Sequence, residues 1–505
     1  MTDIVLIFEV HQPYRIERDF FWEHKMYRHR TREELFDYYF DKALNRDHFE
    51  RASRKCYLPT NQILLNQIDR HKREKKRVKV AFSISGVFLE QCEKYNKDAL
   101  ASFKQLAETG CVEFLDQTYY HSLSSLYPVR DEFIEQVKMH RQAMRDLLHH
   151  EPTVFENTEL LYNNAIAKVV EKLGYRGIFT EGAERILGGR SPNYVYAAKG
   201  CKRLRVLLRN YRLTDDVGFR FSMRWWSEWP LTPEKYARWL ATTEGDCINI
   251  FPDYETFGEH HWPETGIHEF LALLPGEILK FEHLRMAIPS EVLNRYEPLG
   301  FIDVPEPDGT VSWADVERDA KSWLGNTMQW ACYKTIRDME PLIREAQNQD
   351  LLRVWRYLQV SDHLYYMFTA GGAPGEVHTY FNPFGNPVDA FVTFLSVLMD
   401  FGWRVRSYTH AANHPFKFRF GVGEEEHTGV SALSLRGFVS AMSKVDDASL
   451  EFHNRRRDFV KWARISLRDE RLAKRLQRVA KDRLRGNDLR RAIGRLIEEH
   501  LGGKT

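Results

Sequence analysis

The sequence predicts an α/β protein: an irregular (β/α)7 barrel, followed by a helical domain and a basic helical C-terminal extension. Three observations lead there. Through the first half of the chain, short apolar runs of strand length alternate with segments of helical spacing, which implies a parallel sheet with crossover helices. Seven of those runs break off into polar or charged residues, as strands do where they open onto the active face of a barrel. After Trp262 the alternation stops and helical spacing takes over. The competing architecture is an open doubly wound sheet, but no GxGxxG follows the first strand and there is no P-loop.

Taken in order, residues 4–10 form an apolar run that turns polar at Glu9-Val10-His11-Gln12-Pro13. Residues 78–83 end in Ser85-Gly86, residues 111–115 in Asp116-Gln117, and residues 153–159 in two carboxylates and an amide. Residues 177–180 end in Glu181-Gly182, residues 204–208 in Arg209-Asn210, and residues 247–251 in Asp253. Helical spacing is expected over 89–108, 131–148, 164–173 and 233–242, then over 267–274, 313–331, 350–368 and 388–401. A Pro-rich turn at 304–309 and the glycine run 371–375 join the later helices.

The expected domains are a catalytic barrel over 1–295, a helical domain completing the active site over 296–402, a linker-like region over 403–450, and a basic helical extension over 451–505. In the linker-like region periodicity is weak and a Gly/Glu run occupies 421–426. In the extension Phe459, Trp462, Leu472, Leu476, Val479, Leu484, Leu489, Ile493 and Leu496 recur at helical spacing.

A chain of 505 residues has room for this and for a large core. Its aromatic content of 13% suits a site that stacks on flat or sugar-like ligands, with most rings left to the core. The formal charge of +2 hides an asymmetry, because the basic surplus lies in the last 55 residues and the body before them is acidic. That tail is suited to touch an acidic partner, although nothing requires nucleic acid. Six scattered cysteines with no CxxC argue against a zinc site or a disulfide framework. The opening MTDIVLIFEVHQP has no basic leader, and its apolar run is broken by Glu9, so neither a signal peptide nor a membrane span is expected. A cytoplasmic location is the expectation.

The stretch 250–262, IFPDYETFGEHHW, concentrates the chemistry. It places Asp253, Glu255, Glu259, His260 and His261 directly after a strand. Burying such carboxylates without partners is costly, so a strand end opening onto a polar cleft is the economical reading. With Glu113, Glu159, Glu181, His11 and His121 at other strand ends, two sites are conceivable. A catalytic metal needs about three converging ligands, and no HExxH, HxH or HxxxH spacing joins these strand-end residues. Glycosidic hydrolysis needs two carboxylates, one kept protonated, with aromatic platforms for the sugars. Trp225, Trp226, Trp229, Trp262, Tyr119, Tyr120 and Tyr254 lie near the candidate acids, which favours sugar chemistry.

Over roughly residues 4–400 the sequence resembles glycoside hydrolase family 57, in its archaeal α-amylase-like branch. Val10-His11-Gln12-Pro13 resembles the family's first marked region, which implies that His11 binds substrate, and Gly110-Cys111-Val112-Glu113 the second, which implies that Glu113 is a site carboxylate. Phe155-Glu156-Asn157-Thr158-Glu159-Leu160-Leu161-Tyr162-Asn163 resembles the third and implies Glu159 as nucleophile. Phe251-Pro252-Asp253-Tyr254-Glu255-Thr256-Phe257-Gly258 resembles the fourth and implies Asp253 as general acid/base, with Glu255 beside it. Asp362-His363-Leu364-Tyr365-Tyr366-Met367, with Trp323-Leu324-Gly325-Asn326, resembles the fifth. The expected substrate-binding set is therefore His11, Glu113, His121, Trp225, Tyr254, Glu255, Trp262, Trp323, Asp362 and His363.

The resemblance implies a (β/α)7 barrel, in agreement with the seven strands counted from the pattern, and a retaining double displacement with carboxyl groups about 5 to 5.5 Å apart. It implies α-1,4-glucan or malto-oligosaccharide as substrate and needs no cofactor or metal. A 4-α-glucanotransferase would use the same two carboxylates. A glucan-binding protein without activity and a metal-dependent deacetylase or mannosidase are readings from other classes. Two positions depart from the family pattern: Glu156 stands where a basic residue is more usual, and His261 where Gln is common. Asp215-Asp216 is a rival for the acid, and Glu181 reads as an orienting carboxylate.

Overall fold

The computed structural model describes residues 1–28, 35–306, 309–370, 382–421 and 426–502. Seven parallel strands close into a ring: β1 (Thr2–Val10), β2 (Val80–Ile84), β3 (Val112–Leu115), β4 (Val154–Glu156), β5 (Gly177–Glu181), β6 (Arg205–Arg209) and β7 (Cys247–Ile250). β1 lies between β2 and β7, β2 pairs with β3, β4 with β5, and β5 with β6. Most of these strands are buried on both faces, which is why they read as continuous apolar runs without alternation.

Two seams are thinner than the other junctions. β3 meets β4 through one bridge, Asp116 with Phe155, in which the Asp116 N–H donates to the Val154 carbonyl (3.0 Å) and the Glu156 N–H to that of Asp116 (2.9 Å). β6 meets β7 in one register pair, Arg209 with Asn249. Side chains fasten both places. The buried Asp116 carboxylate takes hydrogen bonds from His140 and Tyr175. At the other seam the Asn249 amide donates to the Leu208 carbonyl (2.9 Å) and Arg209 Nε to that of Phe251 (2.8 Å).

Helices cover the ring, and their ends follow local chemistry. The Ser85 hydroxyl accepts from the Phe88 N–H and starts the helix Gly86–Tyr95, and Asn163 does the same for Asn164–Lys172, which buries Ile166 and Val170 one turn apart. The expected helix over 89–108 is broken at Asn96, whose extended backbone ends one helix and whose side chain caps the next, Lys97–Glu108. The expected helix over 313–331 is confined to Lys321–Leu324 and the start of Thr327–Asp338. Residues 311–319 form a loop closed by a Val311–Asp319 bridge, with Asp315 and Arg318 at φ of 60° and 52°.

The chain divides into two compact units, and the division differs from the expected domain boundaries. The first holds Met1–Arg18, Asp37–Ala331 and Gln359–Phe391; the second holds Asp19–Phe36, Cys332–Leu358 and Val392–Thr505. Within the second, the region expected to be a linker is folded. Ala411–Arg419 and His427–Ser434 form an antiparallel hairpin, followed by the helix Leu435–Met442. Phe416, Phe418 and Phe438 share a core with Phe459, Trp462, Leu472, Leu476, Leu489 and Ile493 of the basic extension. A half-exposed hairpin carries a period of two, so no helical periodicity was there to find. The glycine run 371–375, residues 307–308 of the Pro-rich turn, residues 422–425 of the Gly/Glu run and residues 503–505 lie outside the described residues. No described helix is long and apolar enough to cross a membrane.

Candidate active site

A cavity of about 620 Å³ opens at the carboxyl ends of the strands, within the first unit. Glu159 reaches it from beyond β4 by an unusual turn. Glu159 and Leu160 both adopt left-handed backbone, φ 60° and 52°, a conformation that costs a non-glycine residue about 1–3 kcal/mol. The turn holds because its main-chain groups are occupied. The Glu156 carboxyl accepts from the Leu160 N–H (3.2 Å), the Ser312 hydroxyl donates to the Glu159 carbonyl (2.9 Å), and the Thr180 hydroxyl donates to that of Leu160 (3.2 Å). The Glu159 carboxylate accepts from the Ser361 hydroxyl at Oε1 (2.8 Å) and the Trp313 indole at Oε2 (2.8 Å), and His121 Nε2 lies 3.4 Å from Oε1.

Asp253 enters from beyond β7, bridged to Glu9 of β1. Burial, then the neighbouring charge of Glu159, raises its carboxyl to about 7, against the pull of Arg209 and His121. Its rivals are spoken for. Asp215 receives Arg209 (2.8 Å) and Arg318 (2.8 Å), and Asp216 pairs with Arg220. Glu181 accepts from the same two arginines at 2.8 and 3.0 Å, so two acids and two arginines close a square on one cavity wall.

The cavity lining also includes a stacked pair of imidazoles, His11 and His121, with centroids 4.0 Å apart. Burial and the charge of His121 drive His11 down to about 4, so it is neutral at pH 7. Its Nε2–H then donates to Asp362 (3.1 Å) while Nδ1 accepts from the Ser85 hydroxyl (2.7 Å), the tautomer that satisfies both partners. For His121, burial is outweighed by the hydrogen bond and charge of Glu159, aided by Glu9 and Asp362, and the ring is lifted to about 9. Burial likewise works to raise Asp362, but the hydrogen bond from His11 and the imidazole charges hold it at about 2. Behind His121, Nδ1 donates to Gln117 (2.9 Å), whose amide donates to Glu9 (3.0 Å) and Ser83 (2.7 Å), and the Ser83 hydroxyl donates to Glu156 (3.0 Å). Glu156 does turn inward, and burial pushes both it and Glu9 upward.

Of the residues expected in the site, His11, His121, Glu159, Asp253, Glu255 and Asp362 line the cavity. Glu255 accepts from the Tyr57 hydroxyl (2.5 Å), and burial pushes it up to about 8. Glu113 is a correction. It sits early in β3, where its carboxyl accepts from the Ser290 N–H (2.8 Å) at the start of the helix Pro289–Arg295, and Gln117, past the strand's end, reaches the site network instead. Tyr254 is also displaced: its ring lies in the barrel core and its hydroxyl donates to Asn61 (2.5 Å). Trp323 is buried behind the cavity residue Tyr365, stacked at 5.5 Å, and His363 is buried near Phe40. Trp225 and Trp262 stand outside the cavity, 84% and 54% exposed. Trp226 anchors its loop against Trp239. His261 is structural, bonded to Ser222 (2.8 Å) and to the carbonyls of Val217 and Gly218 (both 3.0 Å).

Sequence reasoning missed Trp313, Ser361, Arg209 and Arg318. Arg209 carried a signal, a cation at a strand end, and Ser361 adjoins Asp362. Trp313 and Arg318 carried none while their segment read as helix.

The comparisons with known proteins bear on family and fold. The model of glycosyl hydrolase family 57 matches residues 5–305. A protein of Methanocaldococcus jannaschii named "Putative alpha-amylase" is 46% identical over 411 residues, covering 80% of this chain and 85% of its own length. An alpha-amylase of Pyrococcus horikoshii is 24% identical over 269 residues, 51% of this chain and 39% of its own. Among solved structures, a family 57 branching enzyme from Thermococcus kodakaraensis superposes with a TM-score of 0.55 at 14% identity, covering 81% of this chain and 90% of its own. The 4-alpha-glucanotransferase from Thermococcus litoralis gives 0.53 at 15% identity; the match covers 82% of this chain and 61% of that enzyme. These two likenesses are of fold. By the extent of the family match and of the Methanocaldococcus alignment, the chain belongs to glycosyl hydrolase family 57 and is a glycoside hydrolase.

Proposed function

We propose that this protein is a retaining glycoside hydrolase of the α-amylase type, acting on α-1,4-glucans and malto-oligosaccharides by double displacement. The observation that carries the reading is the contrast between two carboxyls in one cavity. Glu159 is held by an indole, a hydroxyl and an imidazolium, and Asp253 is raised to about 7, where it is able both to give and to take a proton near neutral pH. In the first step a Glu159 oxygen bonds the anomeric carbon as the glycosidic bond breaks, and the departing oxygen takes the Asp253 proton. In the second, water bonds the same carbon, Asp253 takes a water proton, and the Glu159 ester is released. His11, Glu255 and Asp362 offer donors and acceptors to sugar hydroxyls along the cavity. The names of the archaeal relatives support the glucan substrate. Six free cysteines, five of them buried, support a reducing, cytoplasmic setting.

Incubation with maltoheptaose and soluble starch tests this. New reducing ends that appear with the intact protein and vanish in Glu159→Gln and Asp253→Asn are the expected result. Longer and shorter oligomers without new reducing ends would instead make the protein a 4-α-glucanotransferase, with a sugar hydroxyl in place of water. No turnover of either substrate would remove the substrate assignment.

A further inference from the structure

We infer that the loop 311–319 is a positioning device for the nucleophile, with Trp313 holding the Glu159 carboxylate and Arg318 holding Trp313. The inference rests on the assignment of Glu159 as nucleophile and adds to it two residues outside the motifs that identify the family.

One short loop grips Glu159 at several points. The Trp313 indole donates to Oε2 (2.8 Å), the Ser312 hydroxyl to the main-chain carbonyl (2.9 Å), and the Trp313 N–H approaches that carbonyl at 3.4 Å. The stem of the loop is tied to the same segment, since Val311 and Tyr162 exchange both main-chain hydrogen bonds (2.9 and 3.0 Å). The loop is therefore joined to the left-handed turn on both its side-chain and its main-chain sides.

Arg318 supplies the other anchor. Nη1 donates to the Trp313 carbonyl (2.7 Å) and to Glu181 (3.0 Å), Nη2 to Asp215 (2.8 Å), and the guanidinium lies over the Tyr211 ring at 4.4 Å. Glu181 ends β5, Arg209 ends β6, and Asp215 lies in the helix Tyr211–Gly218. Of the four ionic groups only Arg318 comes from the loop, so it latches the loop to the barrel. Without it Arg209 would still bridge both acids on the barrel side.

The chemical consequence is specific. A neutral N–H on Oε2 favours departure of that carboxylate from the glycosyl ester in the second step. Loss of the indole N–H should therefore slow release of the ester more than its formation. A role confined to packing would not separate the two steps.

The test begins with the intact protein and 5-fluoro-α-glucosyl fluoride, with the labelled peptide identified by mass spectrometry. Label on a residue other than Glu159 would overturn the nucleophile assignment, and this inference with it. With label on Glu159, Trp313→Phe is expected to lower kcat about 10- to 100-fold with KM falling alongside it, so that kcat/KM changes less than about threefold, and to produce a burst of the first product from an activated glucoside. Arg318→Met should lower kcat in the same way, and added to Trp313→Phe it should lower it no further, because it acts through the indole. Arg318→Lys, which keeps the charge, provides the same reading should Arg318→Met fail to fold. Label on Glu159 with unchanged kcat and no burst in Trp313→Phe would leave the nucleophile in place and overturn the positioning role. Additive losses of kcat would remove Arg318 from it.

Discussion

Asp253 and Asp215 line the same cavity under opposite electrostatic conditions. Asp215 is bridged by two arginines and belongs to a closed ionic square; Asp253 has Arg209 and His121 only as neighbours in the field, and burial beside Glu159 carries it to about 7. Motif spacing made the two aspartates rivals for one role, and the side chains around them separate the roles. An acid neutralised on both oxygens builds the wall, whereas an acid left short of charge is available for proton transfer.

The comparison can be broken most directly by exchanging amides for the two acids. Asp253→Asn should lower kcat by about 10²- to 10⁴-fold, the span of a lost general acid/base, while the protein stays folded. Asp215→Asn should instead lower unfolding free energy in urea by about 3 kcal/mol, since it leaves arginines short of a partner in a buried network. The reverse pattern, stability lost at 253 and activity lost at 215, would invert the assignment.

A finer test is pH dependence. With Asp253 as the proposed acid, kcat/KM should fall on the alkaline side with a midpoint near the carboxyl's value of about 7. Stability should follow the same group. Its folded value lies above its unfolded one, so the folded state binds more protons between the two, and stability falls as pH rises from about 4 towards about 7. Asp253→Asn should flatten that fall, which urea unfolding at pH 5 and pH 8 would show. The smallest expected effect is at the rim. Trp225→Ala should raise KM for soluble starch about threefold and leave maltotriose unchanged, the size of one lost stacking contact, with equal change on both substrates counting against a platform for long chains.

The barrel was legible in the sequence because each buried strand ends where desolvation of the next polar group becomes costly, and those break points are visible in one dimension. Glu159, Asp253, His11 and Asp362 were legible because they sit in motifs. Glu113 failed for a geometric reason, since a carboxylate early in a four-residue strand serves the barrel's far end. Trp225 and Trp262 were placed by proximity in sequence, which says nothing of which way a ring turns. Trp313 and Arg318 were hidden because apolar and charged residues at mixed spacing look helical, whereas left-handed backbone at Asp315 and Arg318 denies a helix there. The hairpin at 411–434 was lost to a period of two with many exposed positions.

The two thin seams divide the ring into half-shells. One carries β7, β1, β2 and β3, and with them His11, His121 and Asp253; the other carries β4, β5 and β6, and with them Glu159. Glu159 and Asp253 therefore ride on separate halves of the ring, joined by single bridges and by the polar fastenings of Asp116, Arg209 and Asn249. The gap between Glu159 and Asp253 spans those fastenings, so Asp116 and Asn249, which stand outside the cavity lining, act as its calipers.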